Sequence, residues 1–221
     1  MFEGFSEAAT QFLWGIRFNN TRSWFEVNKQ TYLDHVQRPI RALAQEVFET
    51  FSQAHPELDL LVRVSRIYRD ARRLHGRGPY KSNLWFSLRP GDEAWSERPV
   101  FWFEIRPEGY AYGMGIYAAR PATMARFRQQ IDQGSGEMRK LAQTFAQQSR
   151  FTLDAEEYKR SKGTVPVPLD QWYNRKSVDL SCTCPVDAIL YSRGLVDTLL
   201  DGFETLLPYY RYFDGLCRQE D

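Results

Sequence analysis

The sequence predicts an α+β fold: a mainly antiparallel central sheet with N-terminal and C-terminal helices packed against it, in a single domain over residues 1–221. Three observations carry this reading. Apolar residues recur at helical spacing from Ala9 to Phe51, the period shortens to two between Leu60 and Tyr117, and helical spacing returns after Pro121. Helices, then strands, then helices again is the pattern of segregated layers, not of alternating βαβ units. No internal repeat and no long flexible linker interrupts it.

Each element follows from local chemistry. Ser6 opens a helix along which Ala9, Phe12, Leu13 and Ile16 share a face. Asn19-Asn20 ends it, and Thr21 is placed to cap a second helix carrying Trp24, Phe25, Asn28, Tyr32 and His35. Pro39 suits the first turn of a third helix, lined by Ile40, Leu43, Ala44, Val47, Phe48 and Phe51. Strands are expected at Leu60–Tyr68, Leu84–Arg89, Val100–Arg106 and Tyr110–Tyr117, the last two joined as a hairpin by Pro107-Glu108-Gly109. Ala111, Gly113 and Gly115 leave one strand face smooth, as a close-packed helix would require. Two further helices flank Gly134-Ser135-Gly136, and a late strand is expected around Lys176–Ser181. Pro185 is expected to start a short helix, and a last helix runs through Leu195, Leu199, Phe203 and Leu206 to a kink at Pro208.

Composition excludes several classes. At 43% hydrophobic and 26% charged, the 221 residues are neither collagen-like nor disordered. The 15% aromatic content is high, so many rings need cover. No apolar run approaches the ~20 residues that span a bilayer, and no membrane partner is expected. Met1–Thr10 holds two Glu and no Lys or Arg, which is not the pattern of a signal peptide. Three cysteines fit a reducing cytoplasm.

Net charge is only +1, yet Arg63–Lys81 concentrates seven basic residues against one acid, Asp70. Cys182–Asp221 balances it, with seven acids against three Arg. One reading pairs these two regions internally or leaves the basic run as a solvated loop. The other is an anion site. Guanidinium forks bind phosphate or carboxylate through two parallel hydrogen bonds. Arg66, Arg69 and Arg72 would supply charge, Tyr80 and Lys81 would orient the ligand, and Trp24 would form an apolar wall. Asn20 and Lys29 would add donors, and Asp70 would hold the guanidiniums in place. In the expected strand, Arg66 and Tyr68 occupy one face while Arg63 and Arg69 occupy the other.

Several motifs agree in order along nearly the whole chain. They are Phe2-x-Gly4-Phe5-Ser6, Asn19-Asn20-x-x-x-Trp24-Phe25 with Lys29 and Tyr32, Arg66-Ile67-Tyr68-Arg69-Asp70-x-Arg72, and Pro79-Tyr80-Lys81. Gly113, Gly115, Arg128, Tyr158-Lys159-Arg160, Trp172-Tyr173 and Lys176-Ser177 continue the series. In this the chain resembles a bacterial and fungal family of uncharacterised proteins, catalogued as a domain of unknown function. Arg73 and Gly76 stand where similar sequences often carry an aromatic and an acid. The resemblance implies a cytoplasmic α+β protein and brings no activity with it.

Standard catalytic patterns are missing. There is no Gly-x-Ser-x-Gly elbow, Walker loop or dinucleotide fingerprint, and the sequence implies no cofactor. Cys182-x-Cys184 lacks the second ligand pair that a structural zinc needs, so no metal is expected. His35, His55 and His75 are scattered, and no nucleophile–base pair is legible. Asp70, between Arg69 and Arg72, is expected ionised and too weak a base for catalysis. Two functions therefore stand: binding of a small phosphate-, sulfate- or carboxylate-bearing ligand, or docking of nucleic acid or an acidic protein along the basic edge. Converging cations in a concave site favour the first, outward-facing ones the second.

Overall fold

The computed structural model describes residues 1–70, 72, 76, 78–92 and 94–218. His75, Arg73 and Arg77 of the basic run, and Glu220 and Asp221 of the acidic tail, lie outside the described residues. Three helices come first: α1 (Glu7–Phe18), α2 (Arg22–Tyr32) and α3 (Arg38–Ala54). Strands β1 (Leu60–Val64), β2 (Leu84–Pro90), β3 (Pro99–Arg106) and β4 (Gly109–Ile116) follow. Then come α4 (Pro121–Asp132), α5 (Gly136–Ala146), the two-residue β5 (Thr152–Leu153), α6 (Asp170–Tyr173), β6 (Asp179–Pro185) and α7 (Gly194–Arg218). The strands form one antiparallel six-stranded sheet in the order β1-β2-β3-β4-β6-β5. The fold is α+β, as expected, and β3 and β4 are neighbours as the turn at Pro107-Glu108 predicts.

Several boundaries differ from expectation, each for a physical reason. Thr21 does cap α2, its hydroxyl accepting from the Trp24 N–H at 3.3 Å. Pro39 lies in the first turn of α3, as expected, but no break separates that helix from α2. A π turn at Leu33–Gln37 joins it to α3, with the Arg38 N–H reaching back to the Leu33 carbonyl. Proline has no N–H for the carbonyl four residues back and its ring crowds that group, so a wider turn just ahead absorbs the fault. The strand expected over Leu60–Tyr68 ends at Val64, and Tyr68 instead makes an isolated antiparallel bridge with Tyr80. The late strand begins at Asp179 and runs on through Cys182 and Cys184. No helix starts at Pro185; turns occupy that stretch, and Pro208 lies inside the unbroken run of α7.

The chain divides into two compact units. The first comprises Met1–Leu88, Trp102–Tyr112 and Thr183–Asp201. Its core is built on Phe12, Leu13, Ile16, Phe25, Val36 and Ile40 from the helices, with Leu84, Phe86 and Phe103 from the strands. Gly109 sits at φ +152°, where a Cβ would lie 2.1 Å from the Cys184 carbonyl oxygen.

The second unit comprises Arg89–Phe101, Gly113–Cys182 and Gly202–Asp221. Its rings interlock: Phe101 stacks on Tyr210 at 4.8 Å, and Trp172 meets Phe145 at 5.1 Å. Asp214, nearly buried, accepts from Arg98 (2.6 and 2.8 Å) and from Arg218 (2.7 Å). The smooth strip at Gly113 and Gly115 faces neighbouring-strand backbone, not a helix. A Cβ on Gly113 would meet the Leu180 carbonyl oxygen at 2.1 Å, and one on Gly115 the Val178 oxygen at 3.0 Å. Among the described residues no helix is long and apolar enough to cross a membrane.

Gly113→Ala is therefore expected to destabilise the protein by about 1–3 kcal/mol, because a backbone oxygen cannot swing aside as a side chain can. Gly136→Ala, whose Cβ would meet open space, should be neutral or gain a few tenths of a kcal/mol. Denaturant titration of both variants against wild type checks the contrast.

Candidate functional site

The continuous rod of α2, the π turn and α3 places Phe25, Lys29, Leu33, Gln37 and Arg41 along one wall of a cleft. These residues lie four apart. Steps of four drift about 40° around an ideal α-helix, and the π turn, with more residues per turn, takes back part of that drift. The facing wall is the end of β1 with the segment after it, Arg63 to Tyr68, together with Lys81 and Trp85. The cavity is about 510 Å³.

Its lining carries five cations, Lys29, Arg41, Arg63, Arg66 and Lys81, and no acid among the described residues. The side chains of Arg41, Arg63 and Arg66 make no hydrogen bond or ion pair with any described residue. Lys29 is 3.6 Å from Glu26 on its own helix, both exposed. Lys81 is half-buried, its ammonium 5.7 Å from the Trp85 ring centroid. Burial pushes the Lys81 pKa below the ordinary lysine value, the Arg69 charge adds to this, and Glu104 opposes it. Several cations outside the lining are matched: Arg17 pairs with Glu108, Arg38 with Asp34, and Arg72 with Asp70.

A short ladder fixes the cationic wall. Arg69 N–H donates to the Pro79 carbonyl at 2.8 Å and Lys81 N–H to the Ile67 carbonyl at 2.7 Å, on either side of the Tyr68–Tyr80 bridge. Asn20 clamps the same point from the end of α1. Its amide nitrogen donates to the Tyr80 carbonyl and its amide oxygen accepts from the Tyr80 N–H, each at 2.9 Å. Gly78 makes this approach possible, since a Cβ there would lie 2.4 Å from Asn20. The Tyr80 ring, buried, stacks on Phe25 at 4.3 Å.

The expected site residues thus separate into three groups. Lys29, Arg66 and Lys81 line the cleft. Asn20, Tyr80 and Arg69 hold its wall, Arg69 Nε donating to the Tyr80 carbonyl at 2.7 Å. Arg72 and Asp70 form their own exposed pair, with Asp70 accepting from the Arg72 backbone N–H (3.0 Å), Nε (3.2 Å) and Nη2 (3.0 Å). Trp24 is no part of the cleft lining; its ring covers Gly15 and packs 5.5 Å from Phe12. With Asn20 it borders a separate, uncharged depression of about 650 Å³.

Arg41 and Arg63 join the site unannounced by the sequence. Arg63 sits there because the strand ends at Val64, so alternation no longer assigns it to the face opposite Arg66. Arg41 is readable in the four-residue spacing from Phe25, once Pro39 is not taken as a break. Of the thiols, Cys217 is unsuited to nucleophilic work, since burial pushes its pKa up to about 11, with Asp214 adding to the shift.

A basic, aromatic-floored cleft on an α+β scaffold defines the class of protein. The chain matches the family described as Conserved hypothetical protein (DUF2461) over residues 8–212, and it belongs to that family. A search of curated proteins finds no match.

Asn20→Ala removes both clamps on Tyr80, and two lost hydrogen bonds at a part-buried site should cost roughly 1–3 kcal/mol. Asn20→Asp keeps the acceptor but sets a carboxylate oxygen against the Tyr80 carbonyl, and should cost at least as much. Thermal melts of the two variants check this order.

Proposed function

We propose that the protein binds a small anion bearing phosphate, sulfate or carboxylate groups in this cleft, with Lys29, Arg66 and Lys81, joined by Arg41 and Arg63, as its cationic contacts. The observation that carries the reading is the lining itself, five cations and no acid among its described residues, with Lys29 alone in an ion pair, to Glu26 on its own helix. An anion entering such a site meets charge-assisted donors, and for the three arginines it displaces no internal partner. Asn20, Arg69 and Tyr80 act by holding the wall, and Asp70 restrains Arg72 outside it. Cys182, Cys184 and Cys217 form no disulfide, which agrees with a reducing, cytoplasmic setting.

Melting with and without phosphate or sulfate tests the proposal. A ligand at a hundredfold excess over its Kd stabilises by about 2.7 kcal/mol, or roughly 5–11 °C for a chain of this size. Wild type should show such a rise. Arg66→Ala should lose most of it while melting unchanged, or slightly higher, without anion. Arg69→Ala should melt lower with and without anion, because its guanidinium holds a backbone carbonyl. Equal anion response in wild type and Arg66→Ala would discard the site. Strong oligonucleotide binding with steep salt dependence would instead favour the nucleic-acid reading.

Anion affinity should also fall as pH rises into the alkaline range, and earlier than for an unperturbed lysine. The sign follows from Lys81: its lowered pKa means that the free site sheds this proton below the ordinary 10.5. Bound anion favours the charged form, so binding takes up protons there. Calorimetric titration of sulfate in two buffers of different ionisation enthalpy reads the uptake, and Lys81→Arg should abolish it.

A further inference from the structure

Two features of the cleft exceed what inorganic phosphate or sulfate would need. Its volume of about 510 Å³ lies within the range of about 300–1,000 Å³ that holds a whole organic ligand. Its lining is also of two chemistries, since aromatic Phe25, Tyr32, Tyr68 and Trp85 stand among the cations. Tyr68 is 55% exposed, a large amount for a ring in the cleft wall. Phe25 (6.0 Å, 63°) and Tyr80 (5.3 Å, 45°) pack against it at an angle, and over half of its surface stays accessible to a second ring. Five cations, three of them Arg, call for a ligand with several negative charges.

We propose, building on the anion-binding reading above, that the ligand is a nucleoside di- or triphosphate, its phosphates among Arg41, Arg63, Arg66, Lys29 and Lys81 and its base stacked on Tyr68. Base–aromatic stacking tolerates any base, because every base presents a π face. The site therefore selects for a ring joined to a polyanion before it selects among bases. A free nucleotide fits better than a strand of nucleic acid. The five cations share one cavity of about 510 Å³, which suits a compact polyanion rather than an extended backbone.

Isothermal titration calorimetry of the full chain in EDTA buffer tests this with ATP, GTP, CTP, inorganic tripolyphosphate and a short oligothymidylate. At least one nucleoside triphosphate should bind about tenfold or more tightly than tripolyphosphate. Tyr68→Leu should erase that margin and leave tripolyphosphate affinity within about twofold, whereas Arg66→Ala should weaken both ligands about tenfold. Should Tyr68→Leu not fold, saturation-transfer NMR on wild type decides the same point. Base protons must receive at least as much saturation as ribose protons, and the reverse overturns the stacking. Tripolyphosphate binding as tightly as every nucleotide would overturn the nucleoside and leave the anion site standing. No binding of any anion would overturn both. Oligothymidylate binding more tightly than any nucleotide, with a steep salt slope, would replace the nucleotide with a nucleic acid.

Discussion

Asn20 leaves the end of α1 with its side-chain amide laid against the backbone of Tyr80, donating to its carbonyl and accepting from its N–H, both at 2.9 Å. In effect a side chain stands in for the next strand of a sheet. This matters because, among the described residues of the basic segment, regular strand ends at Val64 and pairing resumes with the Tyr68–Tyr80 bridge. With Tyr80 held by Asn20, and its carbonyl also taken by Arg69, the bridge sets Lys81 against Ile67 and turns Arg66 and Tyr68 to the α2–α3 rod. The Phe25–Tyr80 stack seals the floor beneath. Arg66, Tyr68 and Lys81 all depend on that one clamp for their place, although Asn20 itself is outside the cleft lining.

The π turn is the matching constraint on the other wall. It is the local consequence of Pro39, yet it keeps Lys29 and Arg41 on a common face across twelve residues of chain. π-turns inside α-helices are frequent at functional sites because they re-aim side chains without breaking the helix. Here the outcome is that helix and loop each contribute cations to one concavity. Sequence-distant charges meet there only because two backbone irregularities, the π turn and the interrupted strand, coincide.

Much of the fold was legible because apolar periodicity reports burial directly. The helices through Ile16, through Val47 and through Phe203 all lie where their spacing places them, and so does the β3–β4 hairpin. What sequence could not show were features set by backbone pairing. Gly113 and Gly115 read as a bed for a helix because missing side chains look alike whatever approaches them, and the approaching group is the backbone of residues 178–181. Likewise Lys29, Arg66 and Lys81 could be picked out from residue chemistry and a charge anomaly, but Arg63 falls by alternation on the wrong face once the strand is read too long. Trp24 and Asn20 stand out by chemistry, and the structure shows Asn20 bonded to Tyr80 and Trp24 packed on Gly15. A donor's type in a sequence says nothing about whether an internal acceptor has already claimed it.

The contrast between the two units gives the cationic cleft its weight. In the second unit, Arg98 and Arg218 converge on Asp214, and Arg98 also pairs with Asp92. Burial lowers the Arg98 pKa, but the Asp214 and Asp92 partners outweigh this and leave it raised overall. The chain has nearly equal numbers of both signs, 29 basic against 28 acidic residues, so acids were not scarce. Yet Arg41, Arg63 and Arg66 gather beside Lys29 and Lys81 with no acid in the described lining. Two unit charges at 4 Å interact by about 1 kcal/mol in bulk water and about 4 kcal/mol near a protein surface. Like charges brought to one cleft therefore work against folding. The half-buried Lys81 has a pKa lowered first by burial and then by the charge of Arg69 in the wall behind it. Arg98, Arg72, Arg38 and Arg17 each meet an acid, whereas Arg41, Arg63 and Arg66 share one cavity that has no acid in its described lining, and the proposed anion would supply the missing countercharge.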